Sequence, residues 1–305
     1  MTSLSIPTAI ASGQRLHPPS ALVQSASPNR LLFYVLVDWA CIAAIWILWA
    51  LLPKWLYPLW AVLLAGRFHS FGVILHDVVH MPMSHKTAKL RMVEVLVGYP
   101  IGTTIDAMRY HHLRHHRDSG MPSDPYFKAA LAHNVPLRFL MILRTGLLAL
   151  WWTLGGLYGT VASFVPSLRQ SYAFLFLQDR SGKPVGETRE VIACAREGRW
   201  QLLFHVTLLI AAWPIREWLL YAYLIPVLLA GVLAGSRLIH EHTLEPCADR
   251  NVDTVWRTTN DHNMGWLGQL LLAPRNIGFH REHHLHPQAA LEHLPRLRAW
   301  YEELF

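Results

Sequence analysis

The chain has 305 residues, 52% of them hydrophobic and only 15% charged, with a mean hydropathy of +0.23 and a formal net charge of +7. A soluble domain carries about 25% charged residues, so the composition points away from a soluble fold, and the length leaves no room for two large soluble domains beside a membrane part. The basic balance comes without a dense Lys/Arg run, which argues against nucleic acid as a partner and for cationic cytosolic loops. Cys41, Cys194 and Cys247 form neither a CxxC pair nor a disulfide framework.

Residues 1–30 are rich in Ser, Pro and Ala and lack the charged, apolar and small-residue succession of a signal peptide. They read as a flexible cytosolic tail, and 31–305 as a single membrane domain. The first apolar run, about 31–52, is long enough for a bilayer core of about 30 Å. Pro53-Lys54-Trp55 turns the chain, and a second span follows at about 56–75. Residues 76–137 are rich in His, Arg, Asp and Pro and read as cap. The segment 92–105 is too short and too broken by Gly and Pro to span. Residues 138–166 are apolar, with Arg138 and Arg144 at the start and Gly155, Gly156 and Gly159 inside. Residues 167–199 are polar and Arg-rich, which places them on the cytosolic side. Spans at about 200–213 and 218–238 follow, the second with Gly231 and Gly235 as a small-residue packing face. The rest, 239–305, reads as a second histidine-rich part of the cap.

The chemistry lies in three histidine clusters: His76-Asp77-Val78-Val79-His80, His112-Leu113-Arg114-His115-His116 and His280-Arg281-Glu282-His283-His284. Residues three and four apart share a helix face, so each cluster aims its imidazoles one way. Eight aimed imidazoles exceed a single site, since tetrahedral zinc takes about four ligands. They predict a two-metal centre of all-nitrogen ligation, and in a membrane that ligand set argues for a redox metal. His242, directly after the last span, serves as a ninth ligand. Acids and polar groups nearby, Asp77, Asp124, Glu241, Glu282, Arg67 and His69, are candidates to orient the ligands or the substrate. No HExxH, P-loop, GxGxxG or Ser/His/Asp arrangement is present. A shared centre also constrains topology. One crossing by 138–166 would put the third cluster across the membrane from the other two. The centre therefore predicts four spans, an interfacial or re-entrant 138–166, and both termini on the cytosolic side with the metals.

These motifs together resemble the membrane fatty acid desaturase superfamily, with its hydroxylase and carotenoid ketolase relatives. The carriers are Gly66-Arg67-Phe68-His69 ahead of the first cluster, Arg109-Tyr110-His111 ahead of the second, Asp124-Pro125, Arg257-Thr258-Thr259, Asn276-Ile277-Gly278-Phe279 ahead of the third, and Leu294-Pro295. The resemblance covers roughly 60–300. It implies an all-α membrane protein of four helices under a cytosolic helical cap. The cap holds two iron ions, with His76, His80, His112, His115, His116, His280, His283 and His284 as ligands and His242 resembling the histidine after the last span. Zinc takes the place of iron in overexpressed proteins without redox cycling. Leu238 stands where some members carry an Asn that holds a metal-bound water, so that role is not carried over. The implied activity is oxidation of a lipid hydrocarbon chain by O2, with electrons from an external donor such as ferredoxin or cytochrome b5. Desaturation of a fatty acyl chain is the first expectation, favoured by the Gly66 and Arg257 segments. A carotenoid ketolase or hydroxylase, or a fatty acid hydroxylase, is the second, favoured by the third cluster. A membrane zinc protein without redox chemistry is the remote one.

Overall fold

A computed structural model describes residues 16–126, 128–262 and 264–303. Residues 1–15 of the expected tail lie outside them. Among the described residues every regular element is helical, and one isolated bridge pairs His242 with Thr259.

Helix α1, Pro28–Leu51, starts where the Ser27 side chain accepts the Arg30 amide and Pro28 fills the first turn. The turn at Pro53 leads into α2, Tyr57–Val79. A short α3, Ala88–Val93, continues into a π turn over Glu94–Gly98. Helix α4, Ile105–Asp118, is capped by Thr104. Then come α5, Val135–Thr145, and α6, Leu148–Phe164, bent 57° from each other, and α7, Arg169–Leu175. Helix α8, Arg189–Ala212, and α9, Ile225–Glu241, follow. Four short helices close the chain: α10 Val252–Thr258, α11 Trp266–Leu271, α12 His280–Leu285 and α13 Leu294–Glu302.

Among the described residues, three helical stretches are long and apolar enough to cross a membrane: Pro28–Leu51, Lys54–Val79 and Arg189–Glu241, with the α5–α6 pair as a fourth if it counts as one span. The third holds 53 residues, more than twice the roughly 20 that a bilayer requires. It turns at Trp213-Pro214-Ile215. Its two arms run out and back. Glu197 on α8 pairs with Lys86 just beyond the first histidine cluster, whereas Trp218 meets Trp46, and the Tyr221 carbonyl meets Tyr57, at the far end of the α1–α2 hairpin. Large apolar side chains such as Phe33, Ile47, Leu203 and Ile210 point outward, as lipid-facing residues do.

The span expected at 200–213 is longer than its apolar run. Helix α8 begins at Arg189, because Thr188 caps it, and it buries Val191, Cys194, Ala195 and Gly198 while its arginines face out. The charge of this stretch hides a helical periodicity.

The α5–α6 pair enters the bundle and returns. Thr145, at its inner tip, lies against Gly231 and Gly235 of α9, where a Cβ on either glycine would overlap it. Helix α6 then runs antiparallel along α8, with Gly156 against Gly198 and Gln201. Its outer end therefore lies beside the Glu197 end of α8, toward the histidines.

Asp38, fully buried in α1, ties that helix to α2 and to the segment ahead of the third histidine cluster. It accepts from Arg67 Nη1 at 3.0 Å, Ser70 Oγ at 2.6 Å and Arg275 Nη2 at 2.8 Å.

Candidate metal centre

Four segments deliver the histidines. Helix α2 ends at its first cluster. Arg109 of α4 donates to the terminal carbonyls of Val79 and Met81, which fixes the helix end carrying His80. Helix α4 presents His112, His115 and His116 on one face, three and four residues apart. Helix α9 stops at Glu241, and His242 leaves it in extended conformation, paired with Thr259. Helix α12 follows two left-handed residues, Arg275 at φ 59° and Asn276 at φ 68°, with Arg275 anchored on Asp38. That anchor aims His280, His283 and His284 inward.

The imidazoles fall into two groups. His76, His80, His112, His116 and His283 form one, and His115, His242 and His284 the other; within each, one ligand nitrogen per residue lies within 4.8 Å of the others. His280 adjoins the second, its Nε2 3.4 Å from that of His242. Nε2 atoms stand 3.0 Å apart in His80–His112 and His112–His116, and 3.1 Å apart in His116–His283 and His115–His242. Two nitrogens bound at right angles about 2.1 Å from one ion are about 3 Å apart. His76 has neither ring nitrogen bonded, and His284 Nε2 is a further buried nitrogen without a partner. Buried polar atoms are almost always satisfied. Burial also holds the His112, His116, His280, His283 and His284 imidazoles well below their ordinary pKa, with neighbouring imidazoles adding to the effect. They are neutral, as metal binding requires. This donor set fits two metal ions.

The surrounding groups divide by helix geometry. His115 Nδ1 donates to Asp124 Oδ1 at 3.0 Å, which leaves Nε2 free toward the second group. Asp124 also accepts the amides of Gly120 and Tyr126. His242 Nδ1 donates to the Leu238 carbonyl at 3.1 Å. Glu241 accepts from His262 Nε2 at 2.9 Å and lies 3.6 Å from His280 Nδ1. Three expected helpers lie elsewhere. Asp77 is one residue, or about 100°, round the helix from His76, and it accepts the Leu291 amide. Glu282 likewise turns to Arg298 at 3.0 Å. Arg67 is nine residues from His76, about half a turn away, and faces Asp38. His69, seven residues before His76, keeps the histidine face; its Nδ1 donates to the Leu271 carbonyl at 2.9 Å and Arg237 Nη1 lies 3.3 Å from its Nε2.

A cavity of about 450 Å³ reaches these histidines. His76, His112, His115, His242 and His280 line its inner end, and Met108, Met141, Leu148, Trp151 and Trp152 line its walls. Arg237, Tyr126 and Trp152 are residues that sequence reasoning missed. Arg237 sits in the cavity wall with Nε 3.1 Å from Glu241 Oε2. A cation one turn before Glu241 in an apolar span was the available signal. Tyr126, beside Asp124, shares a hydrogen bond of 2.5 Å with His111 Nδ1 and stands over His115 with ring centroids 4.5 Å apart. A further acidic group, Glu94, Asp106 and Glu197, is already neutralised by Lys86 and Arg91.

No curated protein matches the chain. The family model described as fatty acid desaturase matches residues 53–305. That range takes in every histidine of both groups, and the chain belongs to the fatty acid desaturase family.

Proposed function

We propose that the protein is a membrane-bound di-iron oxidase that introduces a C=C bond into a fatty acyl chain. The observation that supports this most is the cavity: an apolar passage whose inner end is formed by ligands of both imidazole groups. A flexible hydrocarbon has no polar handle to activate. A site for it needs a powerful oxidant and walls that choose which carbon lies nearest.

His76, His80, His112, His116 and His283 would hold one iron, and His115, His242, His280 and His284 the other. The iron pair, once bound, supplies O2 activation strong enough to break an unactivated C–H bond. The overall conversion takes –CH2–CH2– with O2, two electrons and two protons to –CH=CH– and two waters. The chain's own residues set the geometry. Asp124 and the Leu238 carbonyl hold His115 and His242 in the tautomer with Nε2 free. Met108, Trp151 and Trp152 exclude water and press the chain against the histidines. Tyr126 walls the inner end beside His115. Electrons come from an external donor such as ferredoxin or cytochrome b5 on the cytosolic side.

The test is a lipid and pigment profile of cells expressing the wild type or His283→Ala, with iron and a competent electron donor present. A new double bond that the variant lacks is the expected result. A new alcohol or ketone on a lipid or carotenoid would move the assignment to the hydroxylase or ketolase branch. No oxidised product from the wild type would overturn the reading.

A further inference from the structure

A second cavity, a recess of about 780 Å³, also reaches the histidines. The end of α9, residues 260–262, helix α11, the loop into α12, and α13 enclose it. Exposed His240, Gln269 and Glu302 stand in its wall together with half-buried His242. Among the described residues, His242 is the one that lines both this recess and the apolar passage of Met141, Leu148 and Trp151.

The chemistry of the recess suits water. Thr243 and His262 line it, and Thr243 Oγ1 and His262 Nδ1 are buried without a hydrogen-bond partner among the described residues. Buried polar atoms are almost always satisfied, and ordered water serves where the protein offers no partner. His262 Nε2 donates to Glu241 Oε1 at 2.9 Å, so Nδ1 is left as an acceptor that asks for a donor. At about 30 Å³ per molecule the recess has room for a file of waters. Its charges largely neutralise one another. Asp261 accepts from the Arg281 amide and from Arg298 Nη1, each at 2.7 Å, and Arg298 Nε donates to Glu302 at 2.9 Å. Arg138 turns to the Leu131 and Ala132 carbonyls.

The apolar passage is a poor route for anything hydrated. An ion moving along Met141, Leu148 and Trp151 sheds its water and gains no polar group in exchange, which is strongly unfavourable. Lys128, Arg144 and Arg180 in the same walls form no ion pair among the described residues, and their charge repels a dication.

We propose that the polar recess is the aqueous entrance to the metal centre. It admits hydrated metal ions past Thr243 to His242 and the second imidazole group, while the hydrocarbon keeps the other passage. In turnover it lets out the water that desaturation forms. That last role rests on the oxidase reading above, whereas the entrance rests on the recess alone.

The test uses the full-length protein, stripped of metal, in nanodiscs of phosphatidylcholine. Uptake of Co2+ is followed by the visible absorbance of the bound ion after rapid mixing. Gln269→Cys places a thiol in the wall of the recess and Lys128→Cys one in the wall of the apolar passage, both at exposed positions. Each is reacted with a bulky maleimide, and wild type treated alike is the blank for Cys41, Cys194 and Cys247. The label on Gln269→Cys should slow uptake by about tenfold or more, because the ion then waits for local opening, and should leave the final stoichiometry unchanged. The label on Lys128→Cys should not slow it. Thr243→Trp, which crowds the recess beside His242, should slow uptake as the Gln269→Cys label does. Equal rates or equal slowing with the two labels would overturn the entrance, and so would slowing by the Lys128→Cys label alone. A wild type that desaturates lipids but takes up Co2+ equally fast with either label overturns this inference alone. One whose uptake is gated by the recess yet oxidises no chain overturns the oxidase reading instead.

Discussion

The carboxylate of Asp38 and the guanidinium of Arg275 lie 2.8 Å apart, so the first apolar helix grips the loop that leads into the third histidine cluster. Asp38 also faces Arg67, and all three side chains are buried or nearly so. Removing one partner of a buried ion pair strands charge and destabilises by about 3–5 kcal/mol. Asp38→Ala should therefore lower the thermal unfolding midpoint of the detergent-solubilised protein sharply, and Asp38→Asn by less. An unchanged midpoint in Asp38→Ala would show that the pair is not held in solution.

Asp124 orients His115, and groups that fix a metal-bound histidine are worth about 10–100-fold in metal affinity. Asp124→Asn should weaken iron binding by about that factor at the second group only, while the first group, which contains no contact to Asp124, keeps its affinity. Metal titration with per-chain stoichiometry checks this. Two sites weakened equally would mean that Asp124 acts on the fold.

The metal-free protein should lose stability in acid. Burial lowers His80 to about 3 and His242 to about 4, against about 6.5 in an unfolded chain. Between those values the unfolded state binds protons that the folded state refuses. Stability is full above about 6.5 and falls as pH drops toward 4 and then 3. Unfolding midpoints of metal-stripped protein between pH 8 and pH 4.5 should decline, with the steep part below 6.5. A flat profile would mean that these imidazoles are already solvated.

Gly235 lines the cavity and touches Thr145 so closely that a Cβ has no room. Gly235→Leu should push the α5–α6 tip away and fill the passage. The expected outcome is loss of lipid product with metal stoichiometry retained, since none of the grouped histidines is moved. Overpacking costs about 1–3 kcal/mol, so a variant that keeps full activity would place the substrate outside this cavity.

The histidine clusters were legible because helical spacing alone puts i, i+3 and i+4 on one side, and the structure brings all nine imidazoles together. The α1–α2 hairpin was legible from two long apolar runs on either side of Pro53. What stayed hidden depends on long-range contact. Asp38 is one acid in an apolar run, and only its approach to Arg275 gives it a meaning. Arg237 needed the fold to show that it faces the cavity. Asp77, Glu282 and Arg67 were read by nearness in sequence, whereas their angle around the helix decides what they touch. The start of α8 was masked because its arginines line an outer face.

Both imidazole groups draw ligands from α12, and His283 meets His116 across 167 residues. A chain synthesised only through His242 therefore holds four members of the first group and two of the second, and neither is closed. If the two groups hold metal as proposed, capture completes late in biogenesis, after the last short helices have packed and the loop at Arg275 has docked on Asp38. On the proposed oxidase reading, a stalled or truncated polypeptide would present no complete pair of metal sites to oxygen, and assembly order itself would guard the surrounding lipid against stray oxidation.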